Sequence, residues 1–409
     1  MPTTDVKHLK LLLQLKQHQL NWLLEITSAI NSNFSADQLY KIYEFILHSR
    51  LKIDKLALFI EDDGWKCKFA YGTDNHFTTD DFESKIASVI PLFQNNKNAI
   101  VTAIDGFEVV VPVFHKEESV AFAFLGKHNS AEYNFEYDII PFVQTITNVI
   151  VMAIENKKLA KKQVQQQLMK REMELAAQMQ KMLFPPTLPK NEKVDLTATY
   201  IPHHEVGGDY YDFISINANE FAVCMADVSG KGIPAALLMS NFQANLRAHL
   251  PYTNNLKVLI TLLNKKVMQS AKGEKFITFF IGKYNYSTKE FTYINAGHNA
   301  PMLLINDKIS LLEAGTIGLG MFEELPFLNE EKFKISAPST LFCYTDGITD
   351  LENESEQIFG TERLKEFFSK HHREDSPQQF HQLLKDELYA YKGVCPFIDD
   401  ITLLSCKFK

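Results

Sequence analysis

From Ile139 to Leu183 the chain offers helix-forming residues with no Gly or Pro placed to break the run, and at Phe184-Pro185-Pro186 two prolines stop it. At about 1.5 Å per residue such a helix spans roughly 65 Å, too long for a core element. The chain must therefore be built as separate bodies on either side of a rod. Inside the rod Val164, Leu168, Leu175, Met179 and Met182 fall near heptad spacing, while Arg171 and Gln165-Gln166-Gln167 interrupt the seam. Two readings stay open: a solvated linker helix, or a marginal coiled coil that pairs two copies and whose packing can be biased at one end and sensed at the other.

A length of 409 residues suits two to three domains, each able to bury its own core. The formal net charge of -8 and the lack of a strongly basic block exclude a phosphate-backbone binder, leaving proteins and small molecules as partners. Five cysteines (Cys67, Cys224, Cys343, Cys395, Cys406), odd in number and without a C-x-x-C pair, read as reduced thiols. No signal-peptide pattern and no run of about 18 apolar residues is visible, so a cytoplasmic protein without a membrane span is expected.

Before the rod, apolar residues recur at helical spacing from Val6 to about Asn31, and Ser35 is placed to cap a helix over Ala36 to Ser49. Short β-rich runs follow at Leu56 to Ile60, Trp65 to Tyr71, Glu108 to Phe114 and Val120 to Leu125, separated by turns such as Asp62-Asp63-Gly64. Helix, strands and helix again describe an α+β sensor module. Over residues 20–157 this order resembles a GAF domain, and Phe142 to Leu159, with Ala153-Ile154-Glu155-Asn156, resembles the GAF exit helix. Gly126-Lys127-His128 and Asn134-Phe135-Glu136 are similar only in outline to the nucleotide-binding stretches of some GAF domains. A sensor ligand of unknown identity, or a protein partner, is what the resemblance implies. The expected order is an N-terminal helix (1–19), the GAF-like domain (20–157), a coiled-coil linker and regulatory helix (158–189) and a C-terminal domain (190–409).

After Pro189 strands alternate with helices, and acids recur at strand ends. Phe221 to Ala226 is an apolar run short enough for an interior strand; it ends on Asp227 and opens through Gly230 and Gly232, with Pro234 suited to the first position of the next helix. Gly207-Gly208 sets a bend before Asp209, Thr340 to Thr345 runs into Asp346-Gly347, and Asp399-Asp400 precedes Ile401 to Ser405. Strands are expected at Val194 to Tyr200, Phe276 to Tyr284 and Glu290 to Ile294, with helices at Pro234 to Leu250, Leu256 to Ser270, Thr361 to Lys370 and Pro377 to Tyr391. Carboxylates gathered at buried strand ends repel one another unless a cation joins them. Magnesium or manganese takes such all-oxygen ligands, and no zinc-type His/Cys spacing competes. Two such cations bridged by one Asp can activate water for in-line attack on phosphorus.

Gly207-Gly-Asp-Tyr-Tyr-Asp, Ala226-Asp-Val-Ser-Gly-Lys-Gly-Ile-Pro-Ala-Ala-Leu-Leu-Met, Asn295-Ala-Gly-His, Tyr344-Thr-Asp-Gly-Ile-Thr-Asp and Asp399-Asp-Ile-Thr-Leu-Leu stand in an order similar to that of the metal-dependent protein phosphatases (PPM), in their SpoIIE/RsbU-like bacterial branch. The likeness covers about residues 170–409, including Leu175 to Pro189, which resembles that branch's regulatory linker. It implies a PPM-type αββα sandwich with two divalent cations, manganese or magnesium, at one edge. Carried over by motif, Asp227 bridges both, the Val228 carbonyl ligates one, Asp209 holds the second, and Asp346 with Asp399 or Asp400 completes the first. It further implies hydrolysis of phosphoserine or phosphothreonine without a covalent enzyme intermediate, on a STAS-type anti-anti-sigma protein in a partner-switching pathway, by an enzyme that dimerises through its linker. The stretch Ile335-Ser-Ala-Pro-Ser-Thr lacks the Gly-Asp common in relatives, and no arginine is placed to grip the substrate phosphate. Gly230, Lys231, Gly232 and His298 are the remaining candidates for that contact.

Other classes fit less of the chain. Asp227-Val-Ser-Gly-Lys-Gly-Ile-Pro is similar to the glycine box of GHKL-type ATPases but has one residue too many, and His204-Glu205 lies between Pro202 and Gly207, a poor place for a phosphoacceptor helix. No cysteine has an arginine six residues on, which excludes a cysteine phosphatase. Ser229 has no base partner at a recognisable spacing. A catalytically silent dimeric scaffold would leave the full set of acids without a task.

Overall fold

A computed structural model describes residues 2–61, 64–73, 89–93, 100–104, 106–115, 118–126, 134–253, 255–306, 308–335, 338–371 and 376–409. The chain separates into two compact units, Met1–Gln167 and Leu168–Lys409. Asp62-Asp63, Lys127-His128 and Ser336-Ala337, singled out above, lie outside the described residues.

The first unit opens with helices α1 (Pro2–Asn31) and α2 (Ala36–Phe45). Ser35 caps α2 as expected and does so reciprocally: its hydroxyl accepts from the Gln38 amide while the Gln38 side chain accepts from the Ser35 amide. The expected helix to Ser49 is α-helical only to Phe45; one π-helical turn, Ile46–Arg50, finishes it and buries Ile46 and Leu47. Five antiparallel strands follow: β1 (Leu56–Glu61), β2 (Trp65–Tyr71), β3 (Ile100–Ile104), β4 (Phe107–His115) and β5 (Glu118–Leu125), in the order β2-β1-β5-β4-β3. The apolar run of β1 has no alternation because both faces of the sheet are covered. Leu56, Leu58 and Ile60 join the helices' Leu15, Ile26, Leu39 and Tyr43, whereas Ala57 and Phe59 join Phe93, Phe107, Phe122 and Phe124.

The long helix α3 (Ile140–Lys181) is present and continues directly from a π-helical turn, Phe135–Ile139, whose N-cap is Asn134. It contributes Val143, Ile146, Ile150 and Val151 to the first unit's core. Farther on Val164, Leu168, Leu175, Met179 and Met182 are all more than half exposed. One 18-residue window within Phe135–Lys181, of mean hydropathy 1.5, is apolar enough to cross a bilayer by length and composition, and 44 % of it is buried.

The second unit stacks two sheets between two layers of helices. One sheet has the order β13-β10-β9-β8-β7: β7 (Tyr210–Asn217), β8 (Glu220–Val228), β9 (Ile277–Asn285), β10 (Glu290–Ala296) and β13 (Gly315–Thr316), with β14 (Glu331–Lys334) pairing β10. The other has the order β12-β11-β15-β16-β6: β6 (Val194–Ile201), β11 (Met302–Ile305), β12 (Lys308–Leu311), β15 (Ser339–Tyr344) and β16 (Ile401–Phe408). Phe221, Val223, Met225, Phe280 and Tyr293 from the first sheet interdigitate with Leu303, Leu341, Cys343, Leu404 and Cys406 from the second. Helices α4 (Ile233–His249) and α5 (Leu256–Ala271) cover the outer face of the first sheet. The short helix α6 (Asp346–Thr349), with α7 (Thr361–His371) and α8 (Pro377–Lys392), covers the second. This is the αββα order expected.

Candidate active site

Strand ends bring the acids to one edge of the sandwich. Asp209 immediately precedes β7, Asp227 is the penultimate residue of β8 opposite Thr278 of β9, Asp346 opens α6 just after β15, and Asp399 and Asp400 precede β16. The two sheets are tied together at this edge by Asp209 itself: Thr345 Oγ1 donates to its Oδ2 at 2.9 Å, and Thr402 Oγ1 donates to the same oxygen. Neither threonine was singled out from the sequence. Each stands within two residues of a motif acid and points inward by strand alternation, a signal that was available.

The turn after β8 explains its glycines. Gly230 has φ +88°, a conformation costly for any residue with a Cβ, and Gly232 (φ +73°) is the N-cap of α4. The helix starts one residue before Pro234. Gly207 is required for a different reason: a Cβ there would stand 1.9 Å from Asp400 Oδ2 and 2.1 Å from the Tyr200 hydroxyl. The loops carrying Asp209 and Asp400 can approach only without that carbon.

Asp209 is buried, and burial, then the charges of Asp227 and Asp400, push its carboxyl well above the usual range. Asp227 is pushed up to about 7, first by burial and then by Asp346, Asp399 and Asp400. Asp346 is raised by burial and by Asp399 and Asp350, against the opposing pull of the Gly347 amide and Lys231. Within the final pair the roles differ. Asp400 is buried, with Oδ1 accepting from the His203 amide at 2.8 Å and Oδ2 from the Gly208 amide at 3.0 Å. Asp399 is more open and pairs with Lys231 Nζ at 2.9 Å.

Carboxylates crowded without matching cations are the donor set of a hard divalent ion, and the residues present fit one in chemistry. Among the described residues no three or more His, Cys, Asp or Glu side chains stand grouped so as to hold a metal ion between them. Magnesium needs none, because it keeps several waters and takes only one or two carboxylates.

The phosphate-contact candidates separate. Lys231 sits at the mouth of the cluster, half exposed, bonded to Asp399 and to the Ile398 carbonyl. His298 lies inside: its Nδ1 meets Thr278 Oγ1 at 2.9 Å, its amide donates to Asn295 Oδ1 at 2.7 Å, and burial lowers its pKa to about 4. It braces the strand beside Asp227 as a neutral ring and offers no exposed donor to a substrate, which corrects the expectation of a phosphate contact. Ser229 is structural, its Oγ accepting from the Phe276 amide at 2.9 Å and its amide donating to the Phe276 carbonyl. Lys275, not singled out from the sequence, donates to the Ser229 carbonyl at 2.9 Å and crowds Gly230.

One support comes from the end of the long helix. Gln180, buried, donates to the Gly207 carbonyl at 2.7 Å and accepts from the Gly207 amide at 3.2 Å, two residues before Asp209. Phe184 packs on Tyr200 and Tyr211 with ring centres 5.3 and 4.9 Å away.

Residues 217–409 match the family model "Stage II sporulation protein E (SpoIIE)". The match takes in just under half of the chain and marks this segment as similar to the SpoIIE family. The segment holds Asp227, Asp346, Asp399 and Asp400; Asp209 lies before it and joins them through Thr345 and Thr402. Among curated relatives, the chain is similar to "Phosphoserine phosphatase RsbU" of Bacillus subtilis (strain 168), 32 % identical over 194 residues, covering 46 % of this chain and 57 % of that protein. It is also similar to "Phosphoserine phosphatase RsbP" of the same organism, 30 % identical over 188 residues, covering 44 % of this chain and 46 % of that protein. The chain thus spans about half the length of the curated relatives it matches. The fold is shared with the "SiaA-PP2C domain of Pseudomonas aeruginosa" (TM-score 0.53, 20 % identity, covering 60 % of this chain and 98 % of that one).

Proposed function

We propose that the chain is a metal-dependent serine/threonine phosphoprotein phosphatase acting on a phosphorylated STAS-type protein in a partner-switching pathway. The observation that carries this reading is the acid edge: Asp209, Asp227 and Asp346 are buried among like charges that raise their pKa values, and a divalent cation would relieve that repulsion while keeping them ionised. The naming of two relatives as phosphoserine phosphatases supports the same chemistry. Asp209, Asp227, the Val228 carbonyl, Asp346 and Asp399 would hold two divalent cations, manganese or magnesium, with Asp400 fixing the Asp209 loop from behind. When bound, the cations supply Lewis-acid activation of water and neutralise charge on the phosphoryl group.

The chain's own residues do the rest. Lys231 can swing from Asp399 toward an incoming phosphate, and the Gly230–Gly232 turn presents backbone amides at the same mouth. His298 remains neutral behind the strand. Thr345 and Thr402 hold one Asp209 oxygen and leave the other to face the cluster.

In this reading the first unit is a GAF-like sensor, supported by its helix-flanked antiparallel sheet, and the protein is a cytoplasmic homodimer paired through the linker helix. The exposed seam Val164, Leu168, Leu175, Met179 and Met182 supports pairing, and the two hydrogen bonds between Gln180 and Gly207 supply a route from linker to acid edge. The test is phosphate release from a STAS protein phosphorylated on serine, with the full chain in manganese, in magnesium and in excess chelator. Release in either metal and none in chelator is expected. Release that persists in chelator, or its absence in both metals, would sink the reading.

A further inference from the structure

A second buried carboxylate lies three residues beyond Asp209 and faces a cation supplied by the protein. Asp212 on β7 is completely buried, and four donors meet it. Arg247 Nε reaches Oδ2 at 2.7 Å and Arg247 Nη2 reaches Oδ1 at 2.8 Å, a two-pronged fork. Tyr210 Oη donates to Oδ2, and the Phe213 amide donates to Oδ1 at 2.8 Å.

Stability alone does not call for this arrangement. Ala235, Leu238, Met239, Phe242 and Leu246 already bury α4 in apolar contact, and a buried ion pair generally stabilises no better than apolar residues of equal volume. What a fork adds is direction, because it holds only when the guanidinium and carboxylate planes align. Apolar contacts would tolerate α4 rolled by some degrees; the fork would not.

The roll of α4 matters because the helix touches the acid edge at its other end. Its N-cap is Gly232, so the helix begins directly after the turn that follows Asp227. Ala235 lies 3.5 Å from where a Gly208 Cβ would stand, beside Asp209, and the Val228 carbonyl stands 2.9 Å from the same point. One helix therefore bears on the Asp227 turn and the Asp209 loop at its start, and on the Asp209 strand at its end.

We propose that the Asp212–Arg247 pair is a positioning lock: by fixing the roll of α4 on β7 it sets the spacing of the Asp209 loop from the Asp227 turn, and so the affinity of the acid edge for a divalent cation. The inference rests on the proposed phosphatase reading. Both residues are positioning residues, since neither reaches the cluster.

The experiment compares the full chain with Arg247→Lys, which keeps the charge and loses the fork, and with Asp212→Leu/Arg247→Leu, which fills the volume without direction. Manganese(II) is titrated while melting temperature and phosphate release are both followed. The expected result is that both variants fold, need at least about tenfold more manganese for half of the metal-induced melting shift, and recover most of the wild-type rate at saturating metal. Variants that fold with wild-type manganese dependence overturn the lock. So does failure of the double-leucine variant to fold, which makes the pair a requirement of folding. An unmodified chain that shows neither a manganese-induced melting shift nor phosphate release defeats the phosphatase reading instead, and the two failures are distinguished by that control.

Discussion

Asp209, just before β7, and Asp212, within it, stand three residues apart, both buried, in opposite electrostatic settings. At Asp212 the fold supplies a guanidinium fork, a phenol and a backbone amide. At Asp209 it supplies two threonine hydroxyls and then places further carboxylates alongside. The contrast teaches that the domain can neutralise a buried acid from its own residues and does not do so at the acid edge. Charge left unmatched in one place and matched so near to it is what the proposed cation site would require.

The sharpest test of that contrast is Asp227→Asn. Metal-dependent phosphate release should fall by roughly 10²–10³-fold, the scale of losing one strong electrostatic contribution at a reacting centre. The metal-free protein should at the same time become more stable, by about 1 kcal/mol, because a repelling charge has gone. Urea unfolding in chelator reads the second effect, and a metal-free variant no more stable than the parent would break the contrast.

A buried base extends the comparison. His381 of α8 has neither a matching charge nor a crowd of like ones; its ring meets Thr199 Oγ1 at 3.0 Å and Ser405 Oγ at 2.9 Å, and burial lowers its pKa from 6.5 to about 3. The unfolded chain thus takes up this proton more readily than the folded one. Its contribution to stability is complete above about pH 6.5 and is lost as the pH falls from there toward 3, at about 1.4 kcal/mol per unit. Between pH 7 and 5 the unfolding free energy of the parent should fall relative to that of His381→Gln, so that the difference between the two proteins changes with pH; a pH-independent difference would count against it.

Two smaller effects probe how far the acid edge is supported from within. Lys231→Met should raise KM for the phosphoprotein by at most about fivefold with kcat little changed, since a half-exposed ion pair is worth about 1 kcal/mol or less. A large fall in kcat would give Lys231 a part in the reaction itself. Gln180→Ala removes two hydrogen bonds to Gly207, each worth about 1 kcal/mol or less in net terms, and should change the rate in limiting manganese by about twofold to fivefold. An unchanged manganese dependence would separate the helix end from the acid edge.

Much of this was legible in the sequence because the signals were local. The apolar run into Asp227, the glycines after it and Pro234 specify strand, turn and helix start within two residues of where they stand. Ser35 announced its capping box. Less local features were not legible. The segment Tyr210–Asn217 pairs with β8 as a full strand, yet its mixed Tyr-Tyr-Asp-Phe-Ile-Ser-Ile-Asn pattern reads as the tail of a bend. The hairpin Met302–Ile305 with Lys308–Leu311 went unassigned because its strands are only four residues each. Arg247 was invisible for a further reason: nothing in a helix's last turn tells that its arginine closes on an aspartate 35 residues earlier. His298 showed the opposite failure, a loop histidine after glycine that resembles a ligand and turns out to be walled in.

The bond from Thr402 to Asp209 spans 193 positions of chain, and the neighbouring strands β6 and β16 pair Ile201 with Ile401. During synthesis Asp209 emerges long before the residues that hold it. Until β16 arrives to fill the place between β6 and β15, the second sheet has two open edges and the acid edge lacks Asp399 and Asp400. A copy that stops before β16 would lack both Asp399 and Asp400 together with the Thr402 bond to Asp209, and under the proposed function it should release no phosphate.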